Sequence, residues 1–326
     1  MVFQIGFIGA GGMARAHMKR ISGMPDVKIA AICDTVPEKA KETAAEYGAK
    51  PYTDFHEMLD EEQLNAVWVA IPPFAHTDEV SYAAERGVNL FLEKPLALTL
   101  EKAKEMQKAA EKHKVKTMIG YVWRQSRAIR RAKTLLEQEA GPIGLVAGYW
   151  WGGVPGGPEH WWRRKELSGG QVIEQTTHIF DLSRFLAGEV DRVYAEFATI
   201  LNADKPNFTI EDVSVATLRF RSGAIGYITS SSGAKPDGRF VGLKLLARHL
   251  QLNVEGTRKV RVLRDEETLE FASTNDTVYD EDRKFIDAVV NDLPTEVPIA
   301  EGVKSLELSV AAVKSAETGK VMNLPL

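Results

Sequence analysis

Cysteine is almost absent from this chain of 326 residues, since Cys33 is its only one. A disulfide within the chain and a cysteine-rich metal site are therefore both excluded. Long hydrophobic runs are also missing, because no apolar stretch reaches the roughly 18 residues that a membrane-spanning helix needs. The charges nearly balance, with 41 Lys and Arg against 45 Asp and Glu and a formal net charge of -4. Bulk charge thus indicates neither a nucleic acid nor a membrane surface as a partner.

The first strand-like run begins at Val2, which leaves no room for a signal peptide before the fold, and we expect a cytoplasmic location. Internal repeats and low-complexity tracts are absent as well. The hydrophobic content of 44% is sufficient for a sizeable core, and the length favours two domains.

Apolar strand-like runs alternate with helical patterns up to about residue 121. This alternation predicts an α/β domain with a doubly wound parallel sheet, in which ligands bind at the carboxyl ends of the strands. Beyond residue 121, short alternating runs follow one another and predict a largely antiparallel sheet, which two helices near 280–291 and 301–318 close. We therefore expect domains at 1–121 and 122–326. The second sheet has one face for its own helices, and its other face is either solvated or a subunit interface.

A glycine-rich turn follows the first apolar run and has the pattern G-x-G-x-x-A, in the residues Gly9-Ala10-Gly11-Gly12-Met13-Ala14. Gly9 permits a tight strand-to-helix turn, Gly11 lets a pyrophosphate approach the backbone, and Ala14 allows close helix packing. The amino terminus of the following helix then offers N–H groups to the phosphates. The alternative is a βαβ unit whose glycines serve packing alone. A helical pattern and a second apolar run follow at the right spacing, and they favour a dinucleotide site.

Asp34 ends the second apolar run, where a carboxylate accepts hydrogen bonds from the adenosine ribose hydroxyls. A carboxylate repels a 2′-phosphate, and the next residue, Thr35, offers no compensating positive charge. The predicted cofactor is therefore NAD, with NADP less favoured. Cys33, at the end of the same run, is expected to be buried and inert.

Glu93-Lys94-Pro95 follows the run 89–92, at the carboxyl end of a predicted strand. A lysine there faces the nicotinamide side, and burial together with an oxidised nicotinamide would lower its pKa. The alternative is a surface Glu-Lys pair. The loop 71–76, with two prolines, is predicted to wall the cofactor, and its histidine is more typical of a helix cap than of a catalyst. The predicted cofactor contacts are Gly9, Gly11, Gly12, Met13, Asp34, Ile71, Pro72, His76, Glu93 and Lys94.

Glu174, His178 and Asp181 lie at i, i+4 and i+7, which would place them on one face of a helix. Histidine titrates near neutral pH and suits acid or base catalysis, and a neighbouring carboxylate would orient it. A metal site is disfavoured, because no second cluster of His or Cys supplies further ligands. A structural histidine at the start of the helix is the remaining alternative.

Four of the six tryptophans fall in the segment 150–164, which also contains adjacent arginines. Tryptophan stacks on the C–H faces of sugars, and arginine binds hydroxyls or carboxylates, so Trp162 and Arg163, with Asp181, are predicted to contact a substrate. Alternatively, these tryptophans are core or interface anchors.

The chain resembles the glucose–fructose oxidoreductase / inositol dehydrogenase / MocA-like (Gfo/Idh/MocA) family over nearly its whole length. The matching motifs are the glycine turn, Asp34, Pro72-Pro73 with His76, Glu93-Lys94-Pro95, Gly169-Gly170, the helix with His178 and Asp181, and Ser315-Ala316 with Thr318-Gly319-Lys320. The resemblance implies a Rossmann domain and an α/β domain with a large open, mostly antiparallel sheet that commonly forms homodimers or homotetramers. It also implies NAD(P)-dependent oxidation of a sugar, cyclitol or sugar-acid hydroxyl, or the reverse reduction. Lys94 corresponds to the family's conserved lysine, and His178 to its catalytic histidine.

Two residues depart from the family pattern. Glu174 stands where Asp is usual, and Thr176 stands where many members have Gly. The longer Glu174 changes the reach toward His178 and suggests a substrate other than the best-known cyclitols. We assign Lys94, His178 and Glu174 as catalytic. The alternatives are an NAD-dependent glycosidase that uses transient oxidation and a non-catalytic sensor of dinucleotide and sugar.

Overall fold

The computed structural model describes residues 2–154 and 156–326. Contacts divide the chain into two compact units, each made of two segments. The first unit comprises the residues up to Val122 with Asp276–Val303, and the second comprises Trp123–Asn275 with Lys304–Leu326. The predicted domains, 1–121 and 122–326, differ from this division because residues 276–303 join the first unit. The physical reason is that Phe285 and Ile286 are buried in that unit's apolar core.

The secondary-structure elements have the following bounds. The strands are β1 Phe3–Ile8, β2 Val27–Cys33, β3 Lys50–Tyr52, β4 Ala66–Val69, β5 Asn89–Leu92, β6 Thr117–Ile119, β7 Ile143–Trp151, β8 Val190–Ala198, β9 Val213–Phe220, β10 Ile225–Ser231, β11 Phe240–Ala247, β12 Gln251–Glu255, β13 Lys259–Leu263, β14 Thr268–Ala272 and β15 Met322–Asn323. The helices are α1 Gly12–Ile21, α2 Pro37–Tyr47, α3 Phe55–Glu61, α4 Glu79–Glu85, α5 Leu100–His113, α6 Arg127–Glu139, α7 Lys165–Ser168, α8 Thr177–Ala187, α9 Thr277–Val290 and α10 Ile299–Thr318.

The first unit contains a parallel sheet of six strands in the order β3-β2-β1-β4-β5-β6. Its central strands are buried on both faces, as in β4, where all four residues are buried. The strand order reverses between β1 and β4, which is the point where ligands bind in open sheets of this kind. The predicted doubly wound sheet is thus confirmed, and Cys33 is buried at the end of β2 as expected.

β3 and α3 were not predicted from the sequence. β3 has only three residues and contains Pro51, which suits its place at the edge of the sheet. The amino terminus of α3 does carry a sequence signal, because the Asp54 side chain accepts a hydrogen bond from the His56 amide.

The second unit contains a nine-stranded sheet in the order β14-β13-β12-β11-β7-β10-β9-β8-β15. All its pairs are antiparallel except that of β7 with β10. Helix α8 packs on one face, which we call the inner face, where a Cβ added to Gly148 would lie 2.5 Å from Ile179 Cγ2. The opposite, outer face exposes four apolar side chains, namely Trp151, Val215, Ile225 and Leu246. The largely antiparallel sheet is therefore confirmed.

Across residues 2–154 and 156–326, no helix combines the length and the apolar character that crossing a membrane requires.

Candidate active site

The glycine turn connects β1 to α1 in the first unit. Gly9 has φ +100, and a Cβ there would lie 2.5 Å from the Ala70 carbonyl oxygen and 3.0 Å from Ile71 Cγ2. Glycine is therefore required where the turn passes the end of β4. At Gly11 and Gly12 an added Cβ would meet nothing within 4 Å, and no side chain caps the helix at Gly11. The turn thus has open space beside uncapped helical N–H groups, which fits a pyrophosphate.

Ala14 and Met13 complete the predicted turn in different ways. Ala14 is fully buried in the core of the first unit, which agrees with a small residue for close packing. Met13 is 46% exposed at the start of α1 and remains a predicted cofactor contact.

Asp34 lies immediately beyond β2 and is hydrogen-bonded to both neighbouring loops. Its Oδ2 accepts from the Ala10 amide at 2.9 Å, and its Oδ1 accepts from the Val36 amide at 2.9 Å. These bonds hold the carboxylate beside the glycine turn. Each oxygen has a second lone pair, so Asp34 can also accept from ribose hydroxyls.

The loop after β4 contains Ile71 and Pro72, which are half-buried, and His76, whose side chain is only 3% exposed. His76 Nδ1 lies 2.5 Å from Glu79 Oε1, and Glu79 Oε2 accepts from the Thr77 amide at 2.7 Å. Burial opposes the ionisation of Glu79, but the hydrogen bond and attraction of His76 and the backbone amides together outweigh this effect and lower the pKa of the carboxyl. His76 therefore stabilises the loop through Glu79, and its contact with the cofactor stays a prediction.

Lys94 follows β5, two strands from β1 and at the same edge of the sheet as the glycine turn. Strand spacing puts these two sites about 10 Å apart. The Lys94 side chain is half-buried, and the Lys94–Pro95 peptide bond is cis. The preceding Glu93 is buried, and its Oε1 lies 2.9 Å from His17 Nε2. Glu93 therefore turns into the unit, and the prediction that it contacts the cofactor is not supported by its position.

His178 lies in the second unit, on the inner face of the sheet. Its ring stacks on Trp150, with centroids 5.6 Å apart and planes 16° apart, and on Trp123 at 6.4 Å and 28°. Trp150 Nε1 donates to Gln175 Oε1 at 2.8 Å, which fixes the indole. Trp123 and Gln175 were not predicted as site residues. The adjacency of Gln175 to Glu174 was the available signal, whereas Trp123 lies 55 positions before His178 and carried none.

The segment before α8 is not a regular α-helix. Val172–Thr176 forms a π-helix, and α8 begins only at Thr177. Glu174 and His178 are both buried, but the wider turn changes the register that i, i+4 spacing predicts. Thr176, one of the two departures from the family pattern, donates its hydroxyl to the Gln171 carbonyl at 3.3 Å. This bond satisfies a carbonyl inside the π-turn, a segment type that is frequent at functional sites.

Asp181 and Arg163 were predicted to contact a substrate, and the structure gives both of them internal partners. Arg124 donates to the two Asp181 oxygens at 2.8 and 2.6 Å, and Ser305 Oγ donates to Oδ1 at 2.6 Å. Asp181 is completely buried. Arg163 is also buried, and its Nη2 donates to the Gly156 carbonyl at 2.7 Å. Both residues therefore have internal partners in the second unit, and their contact with a substrate stays a prediction.

Trp162 remains a candidate substrate contact. Its side chain is half-buried, and its indole Nε1 is buried without an acceptor among the residues that the structure describes. A buried indole N–H normally has a hydrogen-bond partner, so this nitrogen has an unused donor.

A parallel sheet of order 3-2-1-4-5-6 with an open glycine turn after its first strand defines a nicotinamide-dinucleotide-binding unit. The family model described as "Oxidoreductase family, NAD-binding Rossmann fold" matches residues 3–121, and "GFO/IDH/MocA C-terminal domain" matches residues 129–259. The chain belongs to the Gfo/Idh/MocA family, and its first unit binds NAD.

Individual relatives agree with this assignment. The chain is 30% identical over 232 residues to an uncharacterized oxidoreductase, YrbE, of Bacillus subtilis, covering 70% of this chain and 67% of that protein. It is 27% identical over 337 residues to myo-inositol 2-dehydrogenase of Thermotoga maritima, covering 98% of both. The crystal structure of the WlbA dehydrogenase from Bordetella pertussis, in complex with NADH and UDP-GlcNAcA, superposes with a TM-score of 0.88 at 27% identity, covering 100% of both chains. The family and the α/β fold predicted from the sequence are confirmed.

Proposed function

We propose that this oxidoreductase transfers a hydride between NAD and a secondary hydroxyl, or the matching carbonyl, of a sugar, cyclitol or sugar acid. The observation that carries the proposal is the contact of the His178 ring with both Trp150 and Trp123, whose rings also contact each other. Aromatic rings beside an acid–base group suit a polyhydroxylated substrate with apolar C–H faces. The relatives support this substrate class, since one is a myo-inositol dehydrogenase and another was solved with a sugar nucleotide.

NAD, when bound, supplies the hydride acceptor at its nicotinamide. His178 accepts the proton of the substrate hydroxyl as a general base. Lys94 donates a hydrogen bond to the same oxygen and stabilises the negative charge that develops there. Glu174 orients His178 or binds an adjacent hydroxyl. The substrate contact in this scheme is Trp162, because Arg163 and Asp181 have internal partners.

The test begins with a thermal-shift screen of sugars, cyclitols and sugar acids in the presence of NAD, followed by nicotinamide absorbance with each hit. Lys94→Ala and His178→Ala should each lower turnover by at least about a hundredfold and leave NAD binding intact. The exposed residues Lys108 and His249 provide matched controls, since Lys108→Ala and His249→Ala should keep normal rates. Normal rates in both active-site variants would contradict the mechanism. Hydrolysis without net absorbance change would indicate the glycosidase alternative, and binding without turnover would indicate a sensor.

We also propose that the chain forms a homodimer or homotetramer through the outer face of the nine-stranded sheet. Exposed apolar side chains on four neighbouring strands support this, and the aromatic residues Tyr149, Tyr227 and Phe240 adjoin them. A cytoplasmic location is part of the same proposal, because the reaction consumes a diffusible dinucleotide.

A further inference from the structure

Four ionisable residues form a buried cluster in the first unit, beneath the carboxyl end of β5. His17 belongs to α1, Glu93 follows β5, and Glu281 and Asp282 belong to α9. His17, Glu281 and Asp282 have no exposed surface, and Glu93 is 7% exposed. The reaction proposed above uses none of the four. Burying this many ionisable groups is costly unless they are paired, so the cluster requires an explanation.

His17 contacts a carboxylate with each ring nitrogen. Its Nδ1 lies 2.7 Å from Asp282 Oδ1, and its Nε2 lies 2.9 Å from Glu93 Oε1. A neutral imidazole has one donor and one acceptor, whereas an ionised carboxylate only accepts. Two ionised carboxylates therefore require a proton on both nitrogens, which makes His17 an imidazolium.

Burial raises the pKa of the Asp282 carboxyl, while its contacts with His17 and Trp68 oppose this effect and favour the ionised form. Asp282 Oδ1 also accepts from Trp68 Nε1 at 2.8 Å, and Glu93 Oε2 accepts from the Lys94 amide at 3.2 Å. Burial alone would lower the pKa of His17, but the attraction and hydrogen bonds of Asp282 and Glu93 outweigh it and raise that pKa well above its usual range. The charge on His17 therefore persists across neutral pH.

Glu281 completes the cluster in a different protonation state. Within the described part of the chain, neither of its carboxyl oxygens has a hydrogen-bond partner. Burial raises the pKa of Glu281 well above its usual range, so the neutral acid is the stable form. A cation held by His17, Glu93 and Glu281 is disfavoured, because both nitrogens of His17 already bind carboxylates.

The cluster acts on the residue that follows Glu93. The carboxylate of Glu93 bonds His17 through one oxygen and the Lys94 amide through the other. On the side of β6, a Cβ at Gly120 would lie 2.7 Å from Glu93 Oε1, so this backbone closely confines the carboxylate. The position of the Lys94 backbone therefore depends on helices α1 and α9 through the His17 ring.

We propose that His17 is a positively charged positioning residue that fixes Glu93 and, through it, the backbone from which the Lys94 side chain extends. The inference rests on the proposed function, because Lys94, the residue that His17 positions, is assigned its catalytic role there. Asp282 holds the other nitrogen of His17 and sets its charge.

Nitrogen-15 NMR of histidine-labelled protein tests the charge without any substrate. The His17 signals are assigned by their loss in His17→Gln. We expect them to show both ring nitrogens protonated from about pH 6 to 8, a range in which an ordinary histidine loses its proton. Asp282→Asn, which keeps an oxygen acceptor and removes the charge, should shift His17 to the neutral form. A neutral His17 in the unchanged protein would overturn the proposal, whatever the role of Lys94.

Kinetics on the substrate from the screen tests the positioning. Glu93→Ala should lower kcat between about tenfold and a hundredfold while the NAD dissociation constant stays the same, because only the lysine is misplaced. Glu93→Gln offers a single acceptor oxygen where the charged His17 ring and the Lys94 amide both donate, so it should recover only part of the rate. Asp287→Asn, an exposed change in the same helix as Asp282, is the matched control.

If Glu93→Ala does not fold, Asp282→Asn replaces it in the kinetic test. Its kcat should also fall, because a neutral His17 no longer fixes Glu93. Unchanged kcat in Glu93→Ala or Asp282→Asn, with Lys94→Ala inactive, would refute positioning and leave the proposed function intact. Normal kcat in Lys94→Ala would instead refute the proposed function.

Discussion

Asp34 illustrates how one residue combines a structural and a selective task. Its two oxygens accept backbone amides from the loops after β1 and β2, so the carboxylate has a fixed position before any ligand binds. A fixed negative charge there repels a 2′-phosphate more effectively than a mobile one. The unchanged protein should therefore bind NAD more tightly than NADP.

Asp34→Asn keeps the side-chain shape and removes its charge. We expect NAD affinity to fall by about tenfold, because a charge-assisted hydrogen bond to ribose becomes a neutral one, and NADP affinity to rise. Isothermal titration with both dinucleotides measures the two constants, and Asp26→Asn in the same unit is a control. Tighter binding of NADP by the unchanged chain would refute the assignment.

Single residues were predictable where the signal was local in sequence. The glycine turn, Asp34 and Lys94 are recognisable because each follows a strand at a fixed spacing. The roles of Glu93 and Asp181 were not, since their partners are distant: His17 lies 76 positions from Glu93, and Ser305 lies 124 positions from Asp181. A carboxylate with a buried partner looks the same in sequence as one that faces a substrate.

At the scale of elements, the π-helix before α8 has an unusual start. Gly169 and Gly170 have φ +76 and +99, and a Cβ at Gly170 would collide with the carboxylate of Glu211. Glu211 Oε1 accepts from the Val172 amide at 2.7 Å, so this carboxyl caps the segment that leads to His178. Burial raises the pKa of Glu211 to about 7, against opposing hydrogen bonds from backbone amides.

Glu211 should make stability depend on pH. The folded chain binds this proton more tightly than the unfolded chain, so the stabilisation is complete below pH 4.5 and is lost as pH rises through about 7. The loss is on the order of 3 kcal/mol. Glu211→Gln keeps the acceptor for Val172 and should remove this contribution, which urea unfolding at a series of pH values would measure. The exposed variant Glu266→Gln should follow the unchanged protein. Identical pH profiles for Glu211→Gln and the unchanged chain would contradict the argument.

Most elements were predictable, because their apolar periodicity and caps are local. Helix α2 begins at Pro37 and is followed by Gly48 in the left-handed conformation, and Thr99 caps α5 by accepting from the Lys102 amide. The π-helix was not predictable, since its sequence has the same apolar pattern as an α-helix start. Its first amide, that of Val172, donates to Glu211, which lies 39 positions away in the sequence.

At the scale of the whole molecule, the outer face of the second sheet should determine the oligomeric state. Ile225 is 51% exposed on β10 of this face, so Ile225→Glu would bury an unpaired charge in the proposed interface. We expect self-association to weaken by more than about tenfold, as measured by analytical ultracentrifugation over a range of concentrations. Ile200→Glu, at an exposed isoleucine outside the strands, is the matched control. A monomeric unchanged protein, or equal masses for both variants, would refute the interface.

Residues 276–303 have a consequence for synthesis. Helix α9 supplies Phe285, Ile286 and Asp282 to a unit whose sheet is complete by Ile119. During translation the nucleotide-binding sheet therefore emerges long before the helix that covers Trp68 and pairs His17. More than 150 further residues, including eight of the nine strands of the second sheet, are synthesised before α9 can close the core of the first unit. The first unit is complete in sequence only at Val303, and a fragment that stops at residue 122 would expose the apolar surface that α9 covers.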